Sequence, residues 1–228
     1  SRADGKRRRS WIRRGHRSRW YCRRRGKGSA VLLVSDVHLV AFGDSVTLGT
    51  RAAAPPTPGI ADWQAFGARY ADVLRSRGRW VWYGNAGVGA DHTTLGLARL
   101  ATDVLVKRPS LVTVMFGIND SWHDSGAGVG APRVALSTYE ANITSMVAQI
   151  RALAAEVILM TPNRLTDAAR NTDMLPYVAS VTALASSLGT PLADAYTTVN
   201  GTAAWMLDSI HPNGTGHAQI AALLDATY

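Results

Sequence analysis

From residue 38 onward, short apolar runs rich in β-branched and aromatic residues alternate with longer segments whose apolar residues recur every three or four positions. Each run is too short for a helix and does not alternate apolar with polar, so it reads as a strand buried on both faces. Such a strand needs helices above and below it, and the repetition therefore constrains the chain to a parallel sheet covered on two sides. Five strands are expected, at residues 38–42, 80–83, 111–116, 157–160 and 191–193. Residues 31–34 add either an edge strand or a lead-in to the first.

The covering helices follow from period. Trp63, Phe66, Tyr70, Val73 and Leu74 make one apolar stripe, and Ile143, Met146, Val147, Ile150 and Leu153 make a second behind a Ser137/Glu140 capping box. Leu175, Val178, Val181, Leu184 and Leu188 make a third, with Gly189 placed to end it in the left-handed region. A last helix begins near Thr215 and carries Ile220, Leu223 and Leu224. Residues 52–58 and 125–132 read as Pro-, Ala- or Gly-rich loops, each just after a strand.

The 228 residues suit one α/β domain with a buried core, and 46% apolar against 18% charged residues excludes disorder over most of the length. The net charge of +9 would suggest nucleic acid if it were evenly spread. Residues 1–30 hold 13 of the 25 Lys and Arg with a single acid, Asp4, and the remainder has 12 bases against 15 acids. Residues 1–29 are therefore read as a basic, flexible or vector-derived extension, and 30–228 as the domain.

The alternative is a phosphate-binding arm interleaved with Trp11, Trp20 and Tyr21, which would make the protein a nucleic-acid binder; the expectation is no nucleic acid. Arg8-Arg9-Ser10-Trp11-Ile12-Arg13 faintly resembles a twin-arginine export signal but lacks the apolar stretch that should follow. No run is long enough to insert into a membrane. Cys22 is the only cysteine, so neither an internal disulfide nor a thiolate metal site is available. A cytoplasmic and an exported bacterial location are both consistent with this usage, and the oligomeric state is unknown.

In sheets of this kind ligands sit beyond the carboxyl ends of the strands, which draws attention to the loops there. After the first strand, Gly43-Asp44-Ser45 puts a serine on a strand-to-helix turn, where amide hydrogens favour an anion. Taken alone the tripeptide is also a common turn, and no G-x-S-x-G elbow is present. Near the far end, Asp208-Ser209-Ile210-His211-Pro212 places a carboxylate three residues before a histidine. Serine needs such a base: His211 takes its proton while Asp208 fixes the tautomer and stabilises the imidazolium.

Two further clusters supply donors for an oxyanion. Gly117-Ile118-Asn119-Asp120 offers the Asn119 amide after the third strand, and Asn85-Ala86-Gly87-Val88-Gly89-Ala90-Asp91 offers backbone N–H groups after the second. Asp44 is read as hydrogen bonding its loop beside the substrate. Trp122 and His123 are read as walls of the acyl and alcohol pockets. His217 packs or caps the last helix, and His92 and His123 lack carboxylates at ligand spacing, so neither a metal nor a cofactor is expected.

The four blocks, in this order over residues 39–217, resemble the SGNH hydrolase family, also called GDSL esterases. The resemblance implies a three-layer α/β/α, flavodoxin-like fold whose five-stranded parallel sheet has the order 2-1-3-4-5. It implies Ser45 as nucleophile under His211 and Asp208, and an oxyanion hole built from the N–H of Ser45, a backbone N–H of the second block and Asn119. One departure is Ala90, which aligns with a family glycine and would be strained if that position needs a positive φ; Gly89 is the reserve donor. The substrates expected are short-chain acyl esters, above all acetyl, of carbohydrate or aryl alcohols. The same family also includes lipases, lysophospholipases and thioesterases, which remain alternatives.

Overall fold

A computed structural model of the chain describes residues 11–13, 19–22, 33–49 and 65–228, with side chains for 36–49 and 65–228. The long strand β3 (Leu33–Gly43) is its axis. Its first residues pair antiparallel with β2 (Arg19–Cys22), itself paired with β1 (Trp11–Arg13). From Asp36 onward β3 pairs in parallel with β4 (Trp80–Gly87), and from Leu39 with β5 (Leu111–Met115). β6 (Glu156–Met160) and the two-residue β7 (Leu192–Ala193) continue the sheet, and the short helix α6 (Ala195–Thr198) follows β7.

The parallel part thus runs β4-β3-β5-β6-β7, which is 2-1-3-4-5 when its strands are counted along the chain. Residues 33 and 34 turn out to lead into the first strand rather than forming one of their own. The expected boundary at residue 29 lies outside the described residues, as do Trp63 and the loop 52–58.

Alternate residues of β3 feed two cores. Leu39 and Ala41 enter a cluster with Phe66, Tyr70 and Leu74 of α2 (Phe66–Ser76) and Ile220 and Leu224 of α7 (Gly214–Thr227). Val40 and Phe42 enter a second with Leu100 of α3 (Thr93–Asp103), Ile143, Met146 and Ile150 of α4 (Leu136–Ala152) and Val181 of α5 (Ala168–Ser187). Residues 39–42 have no exposed surface at all, which is why this stretch shows no polar alternation.

Two elements differ from expectation. α4 begins at Leu136 with Ala135 as its N-cap, so Ser137 lies inside the helix and makes no capping box. Glu140 instead accepts a hydrogen bond from Ser180 of α5, a tertiary partner that local spacing does not reveal. α3 was not expected, because its buried positions are Thr93, Gly96 and Leu100, too small or polar to make a bulky stripe. Gly189 does end α5, at φ 57°, with the Thr190 N–H donating to Ala185 and its own N–H to Ser186.

The crossover at the end of β3 depends on close approach. A Cβ on Gly43 would overlap Thr47 Oγ1 and the Met115 carbonyl, and one on Gly87 would overlap the Leu48 backbone. Only glycine at both strand ends lets the short helix α1 (Ser45–Leu48) sit directly against the sheet.

Candidate active site

Ser45 is the first residue of α1, and Asp44 is its N-cap, with Oδ1 accepting the Val46 N–H at 2.9 Å. Asn85 fastens the other end: its amide donates to the Thr47 and Leu48 carbonyls, while its oxygen accepts the Gly87 N–H. The turn bearing the serine is therefore held by one side chain just past β3 and by another near the end of β4.

His211 reaches Ser45 from a loop closed by a bridge between Met206 and Pro212. Asp208 organises this loop, because Oδ1 accepts the N–H groups of Ile210 and His211, both at 2.7 Å. Its other oxygen lies 2.8 Å from His211 Nδ1, and His211 Nε2 lies 2.9 Å from Ser45 Oγ. Partial burial pushes the Asp208 pKa up, but the hydrogen bonds from His211 and Ile210 outweigh it and hold the carboxyl below its usual range. An ionised Asp208 accepts a hydrogen bond from Nδ1–H, which keeps the ring proton on that nitrogen and leaves Nε2 as acceptor toward the serine hydroxyl. Asn163 and Thr166 brace the loop through the Ile210 and Ser209 carbonyls.

Asn119 stands on the turn after β5 and uses one amide N–H on the Asp91 carbonyl at 2.9 Å. Ala90, one residue earlier, adopts φ 61°, the left-handed region anticipated for a glycine, whereas Gly89 does not. The strained position is thus 90 rather than 89. Behind them, Asp120 is fully buried and holds the start of α3 through the Thr93 N–H and hydroxyl.

Asp44, at 2% exposure, lies beneath the turn rather than on an open surface. Burial, with Asp120 and Asp91 nearby, raises its pKa to about 7 against the hydrogen bonds that favour its charge. Trp122 is covered by the Arg170 guanidinium 3.8 Å from its ring centre. His123 turns Nδ1 toward the Val129 and Gly130 carbonyls of its own loop, and Arg170 donates to its backbone oxygen. His217 is stacked on Phe66 within α7, and burial, with the charges of Arg69 and His211, lowers its pKa to about 4. Among the described residues no group of three or more His, Cys, Asp or Glu is placed to hold a metal ion. None of their helices is long and apolar enough to cross a membrane.

Arg99 was not anticipated. It lies in the unexpected α3, and its only sequence signal was Asp103 four residues on, an ordinary surface spacing. In the fold it pairs with Asp91 at 2.7 Å, at the back of the second block.

A doubly wound sheet carrying these blocks at its strand ends defines a carboxylic ester hydrolase of the SGNH type. The chain belongs to the GDSL-like lipase/acylhydrolase family, whose model matches residues 41–219. It is 30% identical over 148 residues to an acetylxylan esterase of Geobacillus stearothermophilus, covering 60% of this chain and 67% of that protein. An uncharacterized lipoprotein of Bacillus subtilis, YqeF, is 31% identical over 54% of this chain and 47% of its own length. Among solved structures, a catalytic mutant of the Geobacillus acetylxylan esterase Axe2 superposes with TM-score 0.69 and 26% identity, over 84% of this chain and 93% of that one. A lipase/acylhydrolase of Enterococcus faecalis gives 0.67 at 25% identity, over 82% and 93%.

Two outcomes follow from this geometry. A left-handed alanine costs about 1–2 kcal/mol, part of which a glycine returns through its freer unfolded chain. Ala90→Gly should therefore raise stability by up to about 1 kcal/mol in urea unfolding, and a loss of stability would contradict the strain. A carboxyl raised by folding adds stability in full below about pH 4 and loses it as pH climbs toward 7. Asp44→Asn keeps the acceptor for Val46, so its stability relative to the parent should improve steadily over that window. A difference independent of pH would show that Asp44 does not titrate there.

Proposed function

We propose that the chain hydrolyses short acyl esters, acetyl above all, of carbohydrate or aryl alcohols through an acyl-enzyme on Ser45. The observation that carries the reading is the unbroken chain of contacts from Asp208 through His211 to the Ser45 hydroxyl, 2.8 and 2.9 Å in length. In that alignment His211 takes the hydroxyl proton as Oγ attacks the ester carbonyl, and Asp208 stabilises the imidazolium. The tetrahedral oxyanion is met by the N–H of Ser45, the N–H of Ala90 and the second amide hydrogen of Asn119. His211 then protonates the departing alcohol, and water repeats the sequence to release the acid.

Acetyl on a carbohydrate is favoured by the relatives, since the Geobacillus proteins are acetylxylan esterases and one solved form is a catalytic mutant with a serine replaced by alanine. The loop 125–132 is also small in side chain, which suits a short acyl group and an open approach for a bulky alcohol.

With p-nitrophenyl acetate, Ser45→Ala should lose at least about 10⁴-fold in kcat, and Asp208→Asn on the order of 10³- to 10⁴-fold, both with unfolding midpoints near the parent's. Across a series of p-nitrophenyl esters the C2 ester should turn over fastest, and acetylated xylo-oligosaccharides should release acetate. Faster hydrolysis of C12 than of C2 would overturn the substrate class while leaving the serine chemistry intact.

A further inference from the structure

Arg99 sits one layer behind the proposed oxyanion hole, and none of the proton transfers above involves it. Its Nε donates to Asp91 Oδ2 at 2.7 Å, one terminal nitrogen donates to the Ala86 carbonyl at 2.8 Å and to Asp103 at 3.1 Å, and the other donates to the Gly43 carbonyl at 2.9 Å. The guanidinium also lies 4.7 Å from the centre of the Phe42 ring. Only 16% of the side chain is exposed.

These acceptors are not scattered. Gly43 ends β3 two residues before Ser45, Ala86 lies near the end of β4 four residues before Ala90, and Asp91 follows Ala90 directly. The Asp91 carbonyl in turn holds Asn119. Each N–H assigned to the oxyanion is therefore within a few bonds of an atom that Arg99 touches or one hydrogen bond beyond it. We propose that Arg99 is a positioning residue whose planar guanidinium sets the mutual spacing of the Ser45, Ala90 and Asn119 donors. The inference rests on the reading of Ser45 as nucleophile.

Lysine cannot reproduce this. Its single ammonium can neutralise Asp91, but it cannot reach acceptors spread around the edge of a flat, five-donor group. Arg99→Lys thus separates the two roles, keeping the buried charge pair while releasing the strand-end carbonyls. Asp103→Asn is the opposite control, since it neutralises the one partner that lies on α3 itself rather than at a strand end or in the second block.

The test compares kcat, KM and inhibition by phenylboronic acid, which forms a tetrahedral adduct with serine, in the full chain well below its unfolding temperature. Arg99→Lys should lower kcat for p-nitrophenyl acetate about a hundredfold, the scale of misplacing reacting groups by about an ångström. KM should stay within a factor of about three, and boronate affinity should fall in step with kcat/KM. Asp103→Asn should keep kcat. If Arg99→Lys does not fold, Arg99→Gln combined with Asp91→Asn, which removes the charge left unpaired, carries the same comparison. A folded variant with unchanged kcat, or with KM alone altered, overturns the inference while an inactive Ser45→Ala leaves the nucleophile standing. Parental turnover by Ser45→Ala overturns both.

Discussion

One hydrogen bond, from the Ser45 hydroxyl to His211 Nε2, joins residues 166 apart in sequence, and the surrounding architecture can be understood as what brings its two ends together. The serine end is fixed by the sheet. Gly43 and Gly87 permit α1 to lie against β3 and β4, Asp44 caps it, and Asn85 ties down its far carbonyls. The histidine end is fixed by a loop that Asp208 folds around its own carboxylate before offering the second oxygen to the imidazole. A parallel sheet suits this task because all of its strands end on the same side, so crossovers that begin far apart in sequence finish side by side.

The layer beneath the site is unusually rich in ionisable groups for a protein interior. Asp44, Asp91 and Asp120 are all buried, with Arg99 paired to Asp91 and the first turn of α3 receiving Asp120. Buried charges are tolerated when paired or hydrogen-bonded, and here their partners are the backbone groups that shape the site. Ala90 departs in the same direction: it holds the left-handed region, and in the proposed mechanism its N–H is one of the donors to the oxyanion. On the proposed mechanism, local stability is given up at these positions for the placement of donors.

The five strands and most of the long helices were legible in the residues alone, whereas the strand order came from the family resemblance. The cores of the five parallel strands followed from apolar runs such as 39–42, because burial on both faces leaves no other pattern. The spacing of Asp208 and His211 likewise foretold that one short turn joins the carboxylate to the imidazole, but not that the same carboxylate also holds that turn through the Ile210 and His211 N–H groups. What escaped was tertiary in origin. α3 hides its period behind Thr93, which serves Asp120 through its N–H and hydroxyl, and Gly96, where a Cβ would meet the Phe116 ring. Ser137 and Glu140 carried a capping signal that packing against α5 overrode. Arg99 was invisible because its role depends on three segments that meet only in the folded chain.

The central claim, that the Ser45 hydroxyl is the attacking group and that three N–H donors converge on one oxygen beside it, is tested most directly by a crystal structure after reaction with diethyl p-nitrophenyl phosphate. The account requires continuous density from Ser45 Oγ to phosphorus, with the phosphoryl oxygen within hydrogen-bonding distance of the Ser45 and Ala90 nitrogens and of Asn119 Nδ2. Phosphorus bonded to any other residue, or a phosphoryl oxygen turned away into solvent, would contradict it.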